Sequence, residues 1–156
     1  MSQPMDPLHA GTRAGTEPLL TAVDHVGIAV GDLDEAIAFH RDTLGMTLAH
    51  REVNDEQGVE EAMMAVAGSD ARVQLLAPSS PQSPIATFLQ RRGPGVQQVA
   101  YRVVDVEHAA EVLRSRGLRL LYDRARRGTA GSKVNFVHPK DAGGVLIELV
   151  QPADGG

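Results

Sequence analysis

Cysteine is absent from all 156 residues, which removes disulfides, thiolate metal sites and cysteine nucleophiles together. Tryptophan is absent as well. Only five aromatics occur, Phe39, Phe88, Tyr101, Tyr122 and Phe136, too few for a platform on which bases or sugars stack. No apolar run approaches the ~20 residues that a membrane-spanning helix needs, so no membrane partner is expected. Positive charge is in short supply: 15 Lys and Arg stand against 20 Asp and Glu, a net charge of −5. That balance argues against a phosphate-backbone binder, and no nucleic-acid partner is expected. The start of the chain lacks the basic stretch and apolar core of a secretion signal, and a cytoplasmic location is the expectation.

What remains is ordinary for a globular domain, with 42% apolar and 22% charged residues. The first residues, 1–20, mix Pro, Gly, Thr and Ser without a hydrophobic period and read as a flexible tail, as do residues 153–156. A single domain is expected over 21–152.

Within it, Thr21–Val30 reads as a strand. Asp32 offers an N-cap to a helix over Leu33–Leu44 that stops at Gly45. Strands are predicted at Met46–Val53, Glu60–Val66 and Ala71–Ala77. A linker helix over 83–93 has Ser83 as cap, Pro84 at its first position and Gly93 at its end. The same order then restarts. At an offset of 73, identical residues pair at Val23/Val96, Val26/Val99, Val30/Val103, Asp32/Asp105, Ala36/Ala109, Arg41/Arg114 and Leu48/Leu121. With one residue inserted, Val73–Pro78 falls on Ile147–Pro152. The chain is read as an internal duplication, module one over about 21–78 and module two over about 96–152, each strand, helix, then three strands.

The repeat sorts the polar residues that interrupt apolar strands. His25 has Gln98 as its repeat mate, and Gln74 has Glu148. Two related halves can therefore bring one imidazole, two amides and one carboxylate together at a shared interior. A bound cation would satisfy all four, since buried polar groups need partners. The alternative is that each meets a backbone group or water separately.

These residues resemble the vicinal oxygen chelate (glyoxalase/bleomycin resistance/dioxygenase) superfamily and, within it, the methylmalonyl-CoA epimerase family. The carrying segments are Asp24–Val30, His50–Val53, Glu56–Met63, Ser83–Ala86, Asn135–Lys140 and Gly143–Leu149, over about Val23 to Val150. The resemblance implies an α+β fold in which two tandem βαβββ modules form a curled mixed sheet, a cup. It places metal ligands at His25, Gln74, Gln98 and Glu148, and catalytic carboxylates at Glu61 and Glu148, one for each face of the substrate. The implied cofactor is a divalent ion, Mn²⁺, Co²⁺ or Mg²⁺. The implied substrate is a small-molecule acyl-CoA, epimerised through an enolate, and the implied assembly is a homodimer.

Gln98 departs from the pattern, because the family has a histidine pair where this chain has Gln97-Gln98. An amide oxygen there leaves one nitrogen and three oxygens, favouring harder ions such as Mn²⁺ or Mg²⁺ and weakening Co²⁺, Ni²⁺ and Zn²⁺. The departure keeps two other readings open. One is a repurposed isomerase or lyase of specialised metabolism; the other is a metal-free small-molecule binder of the antibiotic-resistance type. Arg124, Arg126, Arg127 and Lys133, flanking the Gly128–Ser132 loop, either meet coenzyme A phosphates or form a solvated loop. His9, His40, His50 and His108 read as structural or solvated, and His138 as a packing residue near the site.

Overall fold

The computed structural model describes residues 18–154. The expected tails lie outside the described residues at 1–17 and at 155–156.

The elements in chain order are β1 (Ala22–Ala29), α1 (Leu33–Ala38), β2 (Thr47–Asn54), β3 (Val59–Ala65), β4 (Arg72–Pro78), α2 (Pro84–Arg92), β5 (Gly95–Arg102), α3 (Val106–Ser115), β6 (Arg126–Arg127), β7 (Lys133–Val137) and β8 (Leu146–Gln151). The strands form one mixed sheet in the order β2-β3-β4-β1-β5-β8-β7-β6. That order reads the same from either edge once the second set of strands is mapped onto the first. β1 runs parallel to β4 and β5 parallel to β8, while β1 and β5 meet antiparallel at the seam. Among the described residues no helix is long and apolar enough to cross a membrane.

Strand alternation assigns the two faces. On the outer face Leu75 and Ala77 of β4, with Ala62 and Met64 of β3, pack against Leu33 and Ile37 of α1. The second half repeats this, with Leu149 of β8 against Val106 and Ala109 of α3. Both helices begin on the same device. Asp32 accepts from the Glu35 amide at 3.0 Å and its repeat mate Asp105 accepts from the His108 amide at 3.1 Å, each satisfying an orphan N–H of the first turn. The inner face instead carries His25, Glu61, Gln74, Gln98 and Glu148, all buried.

Two elements differ from the sequence expectation. The helix over Leu33–Leu44 is α-helical only to Ala38; Phe39–Thr43 widens into a π turn in which the Leu44 amide donates to the Phe39 carbonyl at 3.2 Å. His40 Nδ1 bonds the Ala36 carbonyl at 2.8 Å, and Gly45 leaves in the left-handed region at φ 77°. In the second half, the strand expected after α3 is broken into a bridge at Leu120–Val137 and the two-residue β6. Asn135 is the cause. Its side chain accepts from the Tyr122 amide at 3.1 Å and donates to the Tyr122 carbonyl at 3.0 Å, replacing the ladder bonds a continuous strand would make.

Candidate active site and metal centre

The site lies where the two halves meet. His25 enters from β1, Gln98 from β5, Gln74 from β4 and Glu148 from β8, and each is buried. Parallel pairing sets Gln74 beside Gly27 and Glu148 beside Ala100, positions related by the repeat. Gly27 lies opposite Gln98 across the seam. A Cβ at Gly27 would come within 2.7 Å of Gln98 Cγ, so only glycine lets that side chain cross the seam.

Four side chains converge through their polar ends. Gln98 Nε2 donates to Glu148 Oε1 at 2.6 Å and to Gln74 Oε1 at 3.3 Å, and lies 3.5 Å from His25 Nε2. His25 Nε2 in turn donates to Glu148 Oε1 at 3.1 Å, while Nδ1 donates to Asp24 Oδ2 at 2.7 Å. Asp24 is held by the Arg102 guanidinium at 2.9 and 3.0 Å. Burial opposes a charge on His25, but the hydrogen bonds and charges of Asp24 and Glu148 outweigh it and raise the imidazole to about 9. Burial likewise opposes the Asp24 carboxylate, yet His25 and Arg102 keep it below the usual range.

Glu61 joins this cluster from β3. Its Oε2 accepts from Gln74 Nε2 at 2.9 Å and its Oε1 accepts from Thr129 Oγ1 at 2.7 Å. Gln74 Nε2 also donates to Thr129 Oγ1 at 2.8 Å. Burial, followed by the nearby charges of Glu52 and Glu148, raises Glu61 to about 7 against the opposing Thr129 hydrogen bond. Glu61 and Glu148 both line a cavity of about 110 Å³, and among the described residues no Lys, Arg or His side chain lines it.

The donor chemistry fits a divalent cation. A carboxylate oxygen and an amide oxygen accept from the Gln98 carboxamide, and the His25 imidazole nitrogen lies 3.5 Å from it, so four groups of ligand type meet at one point. Rotating that carboxamide by half a turn presents its oxygen instead. Among the described residues no group of three His, Cys, Asp or Glu gathers as a metal site; two of the four donors are glutamines.

Several contributors were not singled out from the sequence. Thr129 sits in the Gly128–Ser132 loop, between the basic residues considered for coenzyme A phosphates. The loop folds over the site, fixed by the Ala130 amide donating to Glu52 Oε1 at 2.6 Å. Arg127 pairs with Glu52 at 2.8 Å, and the Arg126 guanidinium stacks 3.9 Å over the Tyr122 ring. Asp24 has a local signal, a carboxylate next to a candidate ligand histidine, the kind of neighbour that orients an imidazole. His138 caps a short turn, accepting from the Lys140 amide at 3.1 Å, and His50 faces Glu52 at 3.3 Å.

The glyoxalase/bleomycin resistance protein/dioxygenase superfamily model matches residues 24–136. The crystal structure of methylmalonyl-CoA epimerase from Mycobacterium tuberculosis is 59% identical and superposes with a TM-score of 0.86, over 88% of this chain and 92% of that one. A methylmalonyl-CoA epimerase solved with methylmalonyl-CoA and NH4+ is 44% identical with a TM-score of 0.83, over 86% of this chain and 96% of that one. The mitochondrial methylmalonyl-CoA epimerase of Homo sapiens is 35% identical over 96% of this chain and 82% of its own length. With matches of this extent around a shared βαβββ duplication, the chain belongs to the glyoxalase/bleomycin resistance protein/dioxygenase superfamily and, within it, to the methylmalonyl-CoA epimerase family.

Proposed function

We propose that this chain is an isomerase that interconverts the (R) and (S) forms of methylmalonyl-CoA, or of a close acyl-CoA. The observation that carries the reading is the pair Glu61 and Glu148, one from each half of the chain, both lining one cavity that has no basic side chain among the described residues. The α-carbon of such a substrate lies between a thioester and a carboxylate, so its proton is weakly acidic. Epimerisation needs one base to remove it and an acid on the opposite face to return a proton.

Glu61 is the base, since it touches the cluster through Gln74 without being one of the four candidate metal donors. Thr129 and Gln74 each hold one of its oxygens and fix its direction. Glu148, in its carboxylic acid form, gives the α-carbon a proton on the other face while Glu61 keeps the one it removed, and the pair resets by exchange with solvent. His25 and Gln98 steady Glu148 through Oε1. His25, Gln74, Gln98 and Glu148 are the residues that would hold a divalent cation, with Asp24 fixing the imidazole through Nδ1. A cation held there would supply Lewis-acid stabilisation of the negative charge that develops as the α-proton leaves. One nitrogen and three oxygens favour Mn²⁺ or Mg²⁺, with Co²⁺ weaker. That a related epimerase was solved with methylmalonyl-CoA and NH4+ supports a cation accompanying the substrate. A homodimer in the cytoplasm is part of the same proposal.

Incubating a single epimer of methylmalonyl-CoA with the protein and Mn²⁺, then resolving the two diastereomers by chromatography, tests the activity. Approach to a mixture of both is expected; an unchanged epimer contradicts it.

A further inference from the structure

Glu52 and Glu61 stand directly opposite each other on β2 and β3, so two carboxylates share one position of the ladder. Like charges placed that way repel, and the Glu52 side chain is only 15% exposed, which removes most of the water that would screen them. What offsets the repulsion comes from the other half of the chain. Glu52 Oε1 accepts from the Ala130 amide at 2.6 Å, and Oε2 accepts from the Arg127 guanidinium at 2.8 Å. Two neighbours make the same crossing. Asn54 Nδ2 donates to the Arg127 carbonyl at 3.2 Å, and Glu56 Oε2 accepts from the Arg127 amide at 3.1 Å. Since β2 and β6 are the two edges of the sheet, these contacts tie one edge to the other. They also bracket Thr129, with Arg127 two residues before it and Ala130 directly after.

Ala130 shows why a grip is needed. At φ 55° and ψ 36° it is the one non-glycine residue in the left-handed region among the described residues. A Cβ makes that conformation unfavourable, and it persists only where the surroundings over-determine it. The amide that Glu52 holds belongs to this same residue. The consequence appears one residue earlier, where Thr129 Oγ1 donates to Glu61 Oε1 at 2.7 Å. A loop relaxed out of its left-handed turn would carry that hydroxyl away from Glu61.

We infer that Glu52 is a positioning residue for the epimerisation: by gripping the Ala130 amide it holds the Gly128–Ser132 loop in its strained turn and so keeps the Thr129 hydroxyl on the base. The inference rests on the epimerase reading above.

Reach and charge can be separated at this position. Glu52→Asp keeps the charge and withdraws the carboxylate by one methylene. Glu52→Gln keeps the reach and an acceptor oxygen and gives up the charge, which matters little to the half-exposed Arg127. With the Mn²⁺-loaded protein and methylmalonyl-CoA, Glu52→Asp lowers kcat about tenfold, the size of one hydrogen bond to a charged group, and leaves KM nearly unchanged. Glu52→Gln lowers kcat by no more than about threefold. Thr129→Val lowers kcat about tenfold as well, and adding Glu52→Asp to it lowers kcat no further, because both act through one hydrogen bond. A kcat unmoved in Glu52→Asp, the reverse order of the Asp and Gln variants, or losses that multiply in the double variant overturns the inference. Wild-type protein that leaves a single epimer unchanged overturns the epimerase reading instead. The grip is then decided by amide hydrogen exchange over residues 126–134, read by mass spectrometry. Faster exchange in Glu52→Asp than in Glu52→Gln supports it, and equal exchange overturns it.

Discussion

A single missing Cβ holds the donor cluster open. Gly27 faces Gln98 across the seam between β1 and β5, where an added Cβ would sit 2.7 Å from Gln98 Cγ and 2.9 Å from Cδ. Those contacts involve the carboxamide stem and not main chain, so Gly27→Ala can fold by turning Gln98 aside. The cluster loses one donor. Mn²⁺ affinity and turnover are expected to fall about 10–100-fold, the usual effect of misorienting a ligand, with the unfolding midpoint little changed. Titration calorimetry with Mn²⁺ reads the loss, and unaltered affinity would contradict this role for Gly27. From the sequence, Gly27 was one more residue in a strand. His25, Gln74, Gln98 and Glu148 were legible because each interrupts an apolar strand and the repeat pairs them. Glu61 came from the family resemblance. Thr129, Tyr122 and Gln57 act through contacts between segments more than 60 residues apart, Tyr122 to Gln57 and Thr129 to Glu61, and no local pattern announces them.

At the scale of elements, α2 is the piece that ties the cavity wall to the sheet, through Ile85 against Val59 and Leu76. Ser83 is its cap, with Oγ accepting from the Ile85 amide at 3.1 Å, and Pro84 fills the first position, where no N–H is needed. Ser83 is only 2% exposed, and Gly58, at φ 67°, turns the β2–β3 connection against it. Ser83→Ala removes the cap and is expected to cost about 1 kcal/mol. For a chain of this size that is a drop of roughly 2–4 °C in Tm, read by circular dichroism. An unchanged Tm would mean that packing of Ile85 alone fixes the helix start. Caps are local chemistry, and Asp32, Ser83 and Asp105 could all be read from neighbouring residues. The π turn at Phe39–Thr43 and the interruption after α3 could not. The first depends on His40 reaching a main-chain carbonyl, the second on Asn135 competing with the ladder from a strand away.

Across the whole molecule, duplication explains both architecture and site. Two copies of one module meet antiparallel along β1 and β5, so residues at equivalent places in each copy come together at the seam. Each module alone carries half of a donor set and one carboxylate of a base pair, which is why the chemistry belongs to the joined sheet. The halves have also diverged. Module one supplies Glu61 from its β3, while in module two the connection between β6 and β7 is the Gly128–Ser132 loop that sets Thr129 against it.

In the proposed reaction Glu61 moves the α-proton of an acyl-CoA beside a cation held at the seam. Deuterium incorporation at the α-carbon of methylmalonyl-CoA in D2O, followed by mass spectrometry, reads that step. The chelator-stripped protein is given Mn²⁺, Mg²⁺, Co²⁺ or nothing. Exchange is expected to need added metal, to run best with Mn²⁺ or Mg²⁺, and to fall about 10²–10⁴-fold in Glu61→Gln, the range of a lost general base. Exchange that proceeds equally well without metal, or in Glu61→Gln, would contradict that reaction.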